Sequence, residues 1–315
     1  MKDVLLVSGG DTLNIFDTIC QGMESLSGLT YDSIDHHAIR KSFRYKNFGQ
    51  RTFNFFLKNF TGRNLKLEYY NSVTGKMMGD LETRYRKVLV IRPDLLNNHQ
   101  LQILRERTDC LIAYYWDTVK LFPRNQHIVH FFDRILSFDP GDCKNFGFEF
   151  RSNFYSYENA TSEIRYQVYN LSSLDVRRET TEEIAVALES LEMSYLFKGF
   201  QKKPFKSAYI QYTPKITYQE MLNEVSYCNV LLDVTKPGQT GLSLRPFEAL
   251  GLNKKLITTN AAIRDYEFYD PANIMIVEPG RIRMEKEFFE TPFKEIPASI
   301  KSRYHIKQWL NDVLG

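Results

Sequence analysis

Residues 229–260, NVLLDVTKPGQTGLSLRPFEALGLNKKLITTN, restrict the fold more than any other stretch of the chain. An apolar run at 230–232 stops at Asp233, and a loop carrying Gly238 and Gly241 follows. Leu244, Phe247, Ala249 and Leu250 then recur at helical spacing until Gly251, and residues 255–259 have the makeup of a short strand. Strand, glycine-bearing loop, helix and strand make a βαβ unit, whose two strands pair in parallel. Parallel sheets carry helices on both faces, so the expected class is α/β.

The chemistry of this unit sits where the loop meets the helix. Residues 238–243 place backbone N–H groups and small hydroxyls at a helix N-terminus, whose partial positive charge and unpaired donors suit a phosphate. Gln239, Thr240, Gly241, Leu242 and Ser243 are therefore candidate anion contacts. Arg245 adds a planar cation for a diphosphate. Glu248, three residues on, shares its helix face and suits ribose hydroxyls. Together they describe a nucleoside-diphosphate site. The same residues also fit a plain surface Arg–Glu pair behind a turn, because a glycine-bearing loop is a weak motif by itself.

The segment QTGLSLRPFEALG at 239–251, with KKLITTN at 254–260, resembles the donor-binding region of bacterial glycosyltransferases. The likeness is to the two-Rossmann-domain (GT-B) architecture, of the RfaS-like lipopolysaccharide-core and capsule type. It is dense over residues 195–277 and thinner elsewhere. It implies two Rossmann-like domains facing across a cleft, an acceptor domain at 1–158 and a nucleotide-sugar domain at 159–315, with the last helix crossing back to the first domain. The implied activity is transfer of a hexose or deoxyhexose from a nucleotide-sugar to a lipopolysaccharide, capsule or other surface-glycan acceptor. No metal or other cofactor is expected, and the chain has no Asp-x-Asp. Retaining members of the wider fold often carry two glutamates eight positions apart. Glu248 fits the second, but Thr240 stands at the first, so inversion and retention both stay open. A sugar-nucleotide epimerase on the same fold and a non-catalytic nucleotide-sugar-binding subunit are the alternatives.

The rest of the chain supplies the other candidates. Residues 3–24 read as strand, glycine turn and helix, with Gly9 and Gly10 at the acceptor side and Asp11 as either a catalytic base or a turn residue. Strands at 87–92 and 110–115 follow, and the second ends in Trp116-Asp117. Side chains just past the carboxyl ends of parallel strands line the ligand crevice. Trp116 is thus a candidate sugar platform and Asp117 a candidate base, against a core Trp and a helix-capping Asp. Lys198, at the end of another strand, is either a diphosphate cation or a surface lysine. The polar run 156–164 reads as the linker, Thr217 with Glu220 as a capping box, and 300–314 as one final helix. Residues 48–60 read as a helix whose broad aromatic face is mostly core, any exposed part being suited to lipid.

A length of 315 residues suffices for two such domains. Net charge is 41 − 38 = +3, too small to argue for nucleic acid. The expected partners are a nucleotide-sugar and a glycan or glycolipid, with peripheral contact at the inner membrane surface. Cysteines 20, 110, 143 and 228 show no metal or disulfide spacing, and the start of the chain reads as a strand rather than a signal peptide. These features point to the cytoplasm.

Overall fold

Two runs of strand–helix alternation build two separate sheets in the computed structural model, which describes residues 1–8, 15–35, 38–39, 42–81, 83–157, 162–201 and 204–315. The first sheet comprises β1 (Lys2–Ser8), β2 (Tyr31–Asp35), β3 (Tyr85–Ile91), β4 (Thr108–Tyr115), β5 (Arg134–Ser137) and β6 (Glu149–Phe150). Its spatial order is β2-β1-β3-β4-β5-β6, all parallel. The second comprises β7 (Tyr166–Ser173), β8 (Tyr195–Phe200), β9 (Gln211–Tyr212), β10 (Cys228–Asp233), β11 (Lys255–Thr258) and β12 (Ile274–Ile276). Its order is β12-β11-β10-β7-β8-β9, again all parallel. The fold is therefore α/β with two Rossmann-like sheets. The central strands read as unbroken Val/Leu/Ile runs because helices cover both faces, and residues 4–7 and 88–90 are buried accordingly.

In each sheet the chain reverses its direction of growth once, between β1 and β3 in the first and between β7 and β10 in the second. Connections leave such a point toward opposite faces, which opens a crevice at the carboxyl ends of the strands. The helices that serve the argument are α1 (Ile15–Glu24), α2 (Phe48–Thr61), α3 (Leu65–Gly79), α4 (Asn98–Glu106), α5 (Pro140–Phe146), α6 (Arg178–Ser190), α7 (Tyr218–Ser226), α8 (Leu244–Gly251) and α9 (Ile306–Leu314). The capping box at Thr217 and Glu220 opens α7 as the sequence predicts.

The last helix lies against the first sheet. Trp309 of α9 is fully buried, with ring centroids 4.9 Å from Tyr114 and 4.8 Å from Phe154. Gly22 of α1 permits this approach, since a Cβ there would stand 2.8 Å from Ile306 Cδ1.

The expectation for the last helix is corrected. The final helix is not continuous over 300–314. It breaks at His305, where Tyr155 N–H donates to the Tyr304 carbonyl (2.9 Å) and Ile306 N–H to the Tyr155 carbonyl (2.8 Å), a strand-like bridge that removes two groups from the helical ladder. Pro123–His127 and Val129–Phe131 form two 3-10 turns. The Tyr115 hydroxyl donates to the Asn125 carbonyl at 2.9 Å and pins that segment under the sheet. Residues 140–146 fold as α5, capped by Asp139. In the segment 208–212 only Gln211–Tyr212 pairs as a strand.

The aromatic face of α2 is not core. Phe48 and Phe60 are each 81% exposed, and Phe53, Phe55 and Phe56 also face solvent. What anchors the helix is Asn54, its one buried residue. Its Oδ1 accepts from Leu65 N–H at 2.7 Å and its Nδ2 donates to the Tyr45 hydroxyl at 2.9 Å. Gly9, Gly10, Asp11, His36, His37 and the expected boundary at residue 158 lie outside the described residues.

Candidate functional site

The carboxyl ends of β7 and β10 open into a cleft of about 440 Å³, whose opposite wall is the end of β4 in the first sheet. On one side the lining includes Asn170, Ser173, Arg177, Lys215, Asp233, Lys236, Ser243, Arg245 and Glu248, and on the other Trp116, Asp117, Phe122 and Phe138.

α8 begins here because Ser243 caps it. The Ser243 hydroxyl accepts from Arg245 N–H at 3.2 Å and donates to Asp233 Oδ1 at 2.8 Å. Asp233 is itself buried, and its other oxygen receives the hydroxyls of Thr258 (3.1 Å) and Thr235 (3.3 Å). One carboxylate thus ties β10, β11 and the start of α8 into a rigid edge. A turn later, Arg245 Nη1 meets Glu248 Oε2 at 2.9 Å, with both side chains almost fully buried. Arg245 Nη2 also donates to the Leu171 carbonyl at 3.2 Å. Burial opposes the charge on Arg245, but Glu248 and its neighbours more than offset this and hold the guanidinium above its usual pKa. Tyr218 bonds to Glu248 from α7, and burial, then the Glu248 charge, raise its hydroxyl well above the ordinary range.

In the loop ahead of α8 the expected phosphate donors are engaged within the protein. The backbone N–H groups of Thr240 and Gly241 both donate to Asp139 Oδ2, each at 2.8 Å, and the Thr240 hydroxyl donates to Asp139 Oδ1 at 2.7 Å. A carboxylate from the first sheet therefore holds the donors that the sequence assigns to a phosphate. Asn153 Nδ2 adds a second bond between the sheets, to the Leu242 carbonyl at 2.9 Å, and the Leu242 side chain is buried. Gln239 turns inward, donating to the Gly241 carbonyl at 2.8 Å. Gly241 is required here because a Cβ would overlap the Phe138 carbonyl oxygen. Thr240 and Gly241 act as a clasp between the two halves.

The other cations of the cleft come from three loops. Arg177 forks onto Asp175 (2.8 and 2.9 Å) and donates to the Ser173 hydroxyl at 2.6 Å, so its guanidinium is fixed at the lip of β7. Lys236 follows β10 and Lys215 precedes α7. Among them, on β7, the Oδ1 atom of Asn170 is buried with no hydrogen-bond partner among the described residues, an unmet acceptor at the cleft. Lys198 is not part of this lining. Its ammonium pairs with Glu224, which also accepts from the Tyr169 hydroxyl at 2.7 Å.

Across the cleft, Asp117 stands just past β4, and among the described residues its one contact is long, 3.5 Å to Arg92 Nη1. Arg92 is already forked onto Asp94 at 2.8 and 2.9 Å and stacks over the Phe122 ring at 3.8 Å. Its φ of 62° is uncommon for a residue with a side chain, a kind of strain found at functional sites. Burial raises the Asp117 carboxyl above the ordinary aspartate range, with Arg92 and Lys236 only partly countering. The next regular element after Asp117 is the 3-10 turn at Pro123–His127, so Asp117 caps no helix. Trp116 is half-buried at the cleft, edge-on to Tyr114 (5.7 Å) and Phe154 (5.9 Å).

Sequence reasoning missed Asp139, Lys236, Lys215 and Asn170. Asp139 left a faint signal, an aspartate before proline at a strand end, which marks a helix cap but not its partner 101 residues away. Among the described residues, no three His, Cys, Asp or Glu side chains converge as a metal-binding group.

The paired doubly wound sheets and the cleft between them define the two-Rossmann-domain GT-B fold. An α-glucosyltransferase in complex with UDP-glucose and DNA containing an abasic site is similar, with a TM-score of 0.56, 9% identity, and 99% of this chain and 93% of that one covered. The apo structure of OtsA has a TM-score of 0.52 at 11% identity and 99% coverage of both chains. No protein-family model matches the sequence, and no curated protein matches it significantly.

Proposed function

We propose that this chain is a glycosyltransferase that moves a sugar from a nucleotide-sugar to a lipopolysaccharide, capsule or other surface-glycan acceptor. The observation that carries the reading is one cleft with two unlike walls. One wall bears the buried Arg245–Glu248 pair beside Arg177, Lys215 and Lys236, and the other the Asp117 carboxyl with its long contact to Arg92. In this reading residues 1–158 receive the acceptor and residues 159–315 the donor. Glu248, held by Arg245 and Tyr218, orients ribose hydroxyls. Arg245, Lys236 and Arg177 stabilise the negative charge that grows on the departing diphosphate. Asn170 Oδ1 accepts a hydrogen bond from the donor. Asp117 takes the proton of the acceptor hydroxyl as its oxygen bonds to the anomeric carbon and the bond to the diphosphate breaks, the inverting course. Trp116 presents a ring edge to the acceptor sugar.

The fold neighbour holding UDP-glucose supports UDP as the first nucleotide to try. The test is a thermal-shift panel of UDP, GDP, CMP, ADP and dTDP on wild type and Glu248→Gln, with folding checked by circular dichroism. A ligand raises the midpoint in proportion to its binding. One nucleotide that protects wild type and not the variant sustains the donor site. Protection by none removes it. Sugar release that needs no acceptor, with epimerised product, replaces transfer by epimerisation.

A further inference from the structure

We infer that α2 is a docking surface for an anionic lipid bilayer. This goes beyond the proposed activity and does not depend on it. The helix is inverted relative to an ordinary surface helix, which turns apolar residues inward. Here the inward anchor is Asn54, with its bonds to Leu65 and Tyr45, while five phenylalanines face water. Phe53, Phe56 and Phe60 recur at a spacing of three and four, so they form one stripe, and Phe48 and Phe55 widen it. The rings contact one another rather than the core: Phe55 and Phe56 lie 5.7 Å apart and Phe56 and Phe60 6.2 Å. A patch of this kind on a folded protein marks an interaction site.

Charge selects the occupant. Residues 42–79 contain seven lysines and arginines and one acid, Glu68, which is paired to Arg63 at 2.8 Å. Arg51 and Lys58 are exposed and fall beside Phe55 on the helix, at the edge of the aromatic face. A second copy of the chain would bring these cations against each other. Aromatic rings bordered by Lys and Arg instead fit the boundary between acyl chains and anionic headgroups, where rings enter the interface and cations meet phosphates. β2 ends at Asp35, at the same end of the parallel sheet from which Trp116 and Asp117 reach the cleft.

The experiment is vesicle flotation of the full chain on phosphatidylcholine alone and on phosphatidylcholine mixed with phosphatidylglycerol. Wild type should partition at least about tenfold more onto the anionic vesicles, with the preference falling as salt rises. The Phe53→Ser/Phe56→Ser/Phe60→Ser variant should lose binding to both, at unchanged thermal midpoint because the rings are exposed. Arg51→Glu/Lys58→Glu should lose the preference for phosphatidylglycerol. Equal partition of wild type onto both vesicles, or undiminished binding by the triple serine variant, overturns the inference. So does a wild-type oligomer in sedimentation that the serine variant converts to monomer.

Discussion

Asp117 and Glu248 line the same cleft from different sheets and are held in opposite ways. Glu248 is locked by Arg245 at 2.9 Å and by Tyr218, and is nearly inaccessible. Among the described residues Asp117 has one contact, at 3.5 Å, to an arginine already committed to Asp94. A carboxylate fixed by a buried cation keeps a single geometry, which suits binding. One kept short of partners by a dry wall holds its proton more readily, which suits proton transfer. Separation of two carboxylates by environment is the physical content of the proposed division of labour.

The strongest attempt to break this contrast is Asp117→Asn. It should lower kcat by about 100- to 10,000-fold, the usual worth of a general base, while nucleotide protection in thermal shift is kept. Loss of protection with kcat intact would exchange the two roles. The acid limb of kcat/KM should lie above the ordinary aspartate range, since burial raises the Asp117 carboxyl. Its effect on stability has a definite sign. The folded chain holds that proton more tightly than the unfolded chain, so the contribution of Asp117 to stability falls as pH rises from the unfolded value through the raised folded one. In Asp117→Asn that slope should vanish from the pH profile of denaturant midpoints.

Next in size is Arg245→Ala. Removing one member of a buried pair strands the other, at about 3–5 kcal/mol in chemical denaturation. Replacing Arg245 by Met and Glu248 by Leu together should recover most of that stability without restoring nucleotide binding. If both return, the pair is structural only. Asp139→Ala should cost about 1–3 kcal/mol, because the Thr240 and Gly241 amides lose their shared acceptor. Hydrogen exchange at those two amides should speed up more than in the neighbouring α8. The smallest effect belongs to Phe60→Ser, which should move stability by less than about 0.5 kcal/mol since its ring touches little. A larger loss would return α2 to the core role that its aromatic content suggests.

What was readable in advance follows the range of the interactions. Arg245 and Glu248 meet because residues three apart share a helix face whatever surrounds them. The Thr217–Glu220 box is equally local. The fold class was readable too, since strand, glycine loop and helix alternate with parallel-sheet patterning. Asp139 was not readable, since what its carboxylate meets depends on the docking of one sheet against the other. Lys198 reads as a cleft residue by its place at a strand end, yet Glu224 of α7 holds it elsewhere.

The sequence alone thus determined the α/β class, the charged face of α8, and the placing of Trp116 and Asp117 beyond a strand. These rest on backbone periodicity and contacts within a few residues. Only the tertiary structure decided that a carboxylate fills the glycine loop, that the last helix breaks at His305, and that α2 turns its phenylalanines outward. Periodicity marks which residues share a face, but the surface that meets that face is set by distant chain, and so is whether it is covered at all.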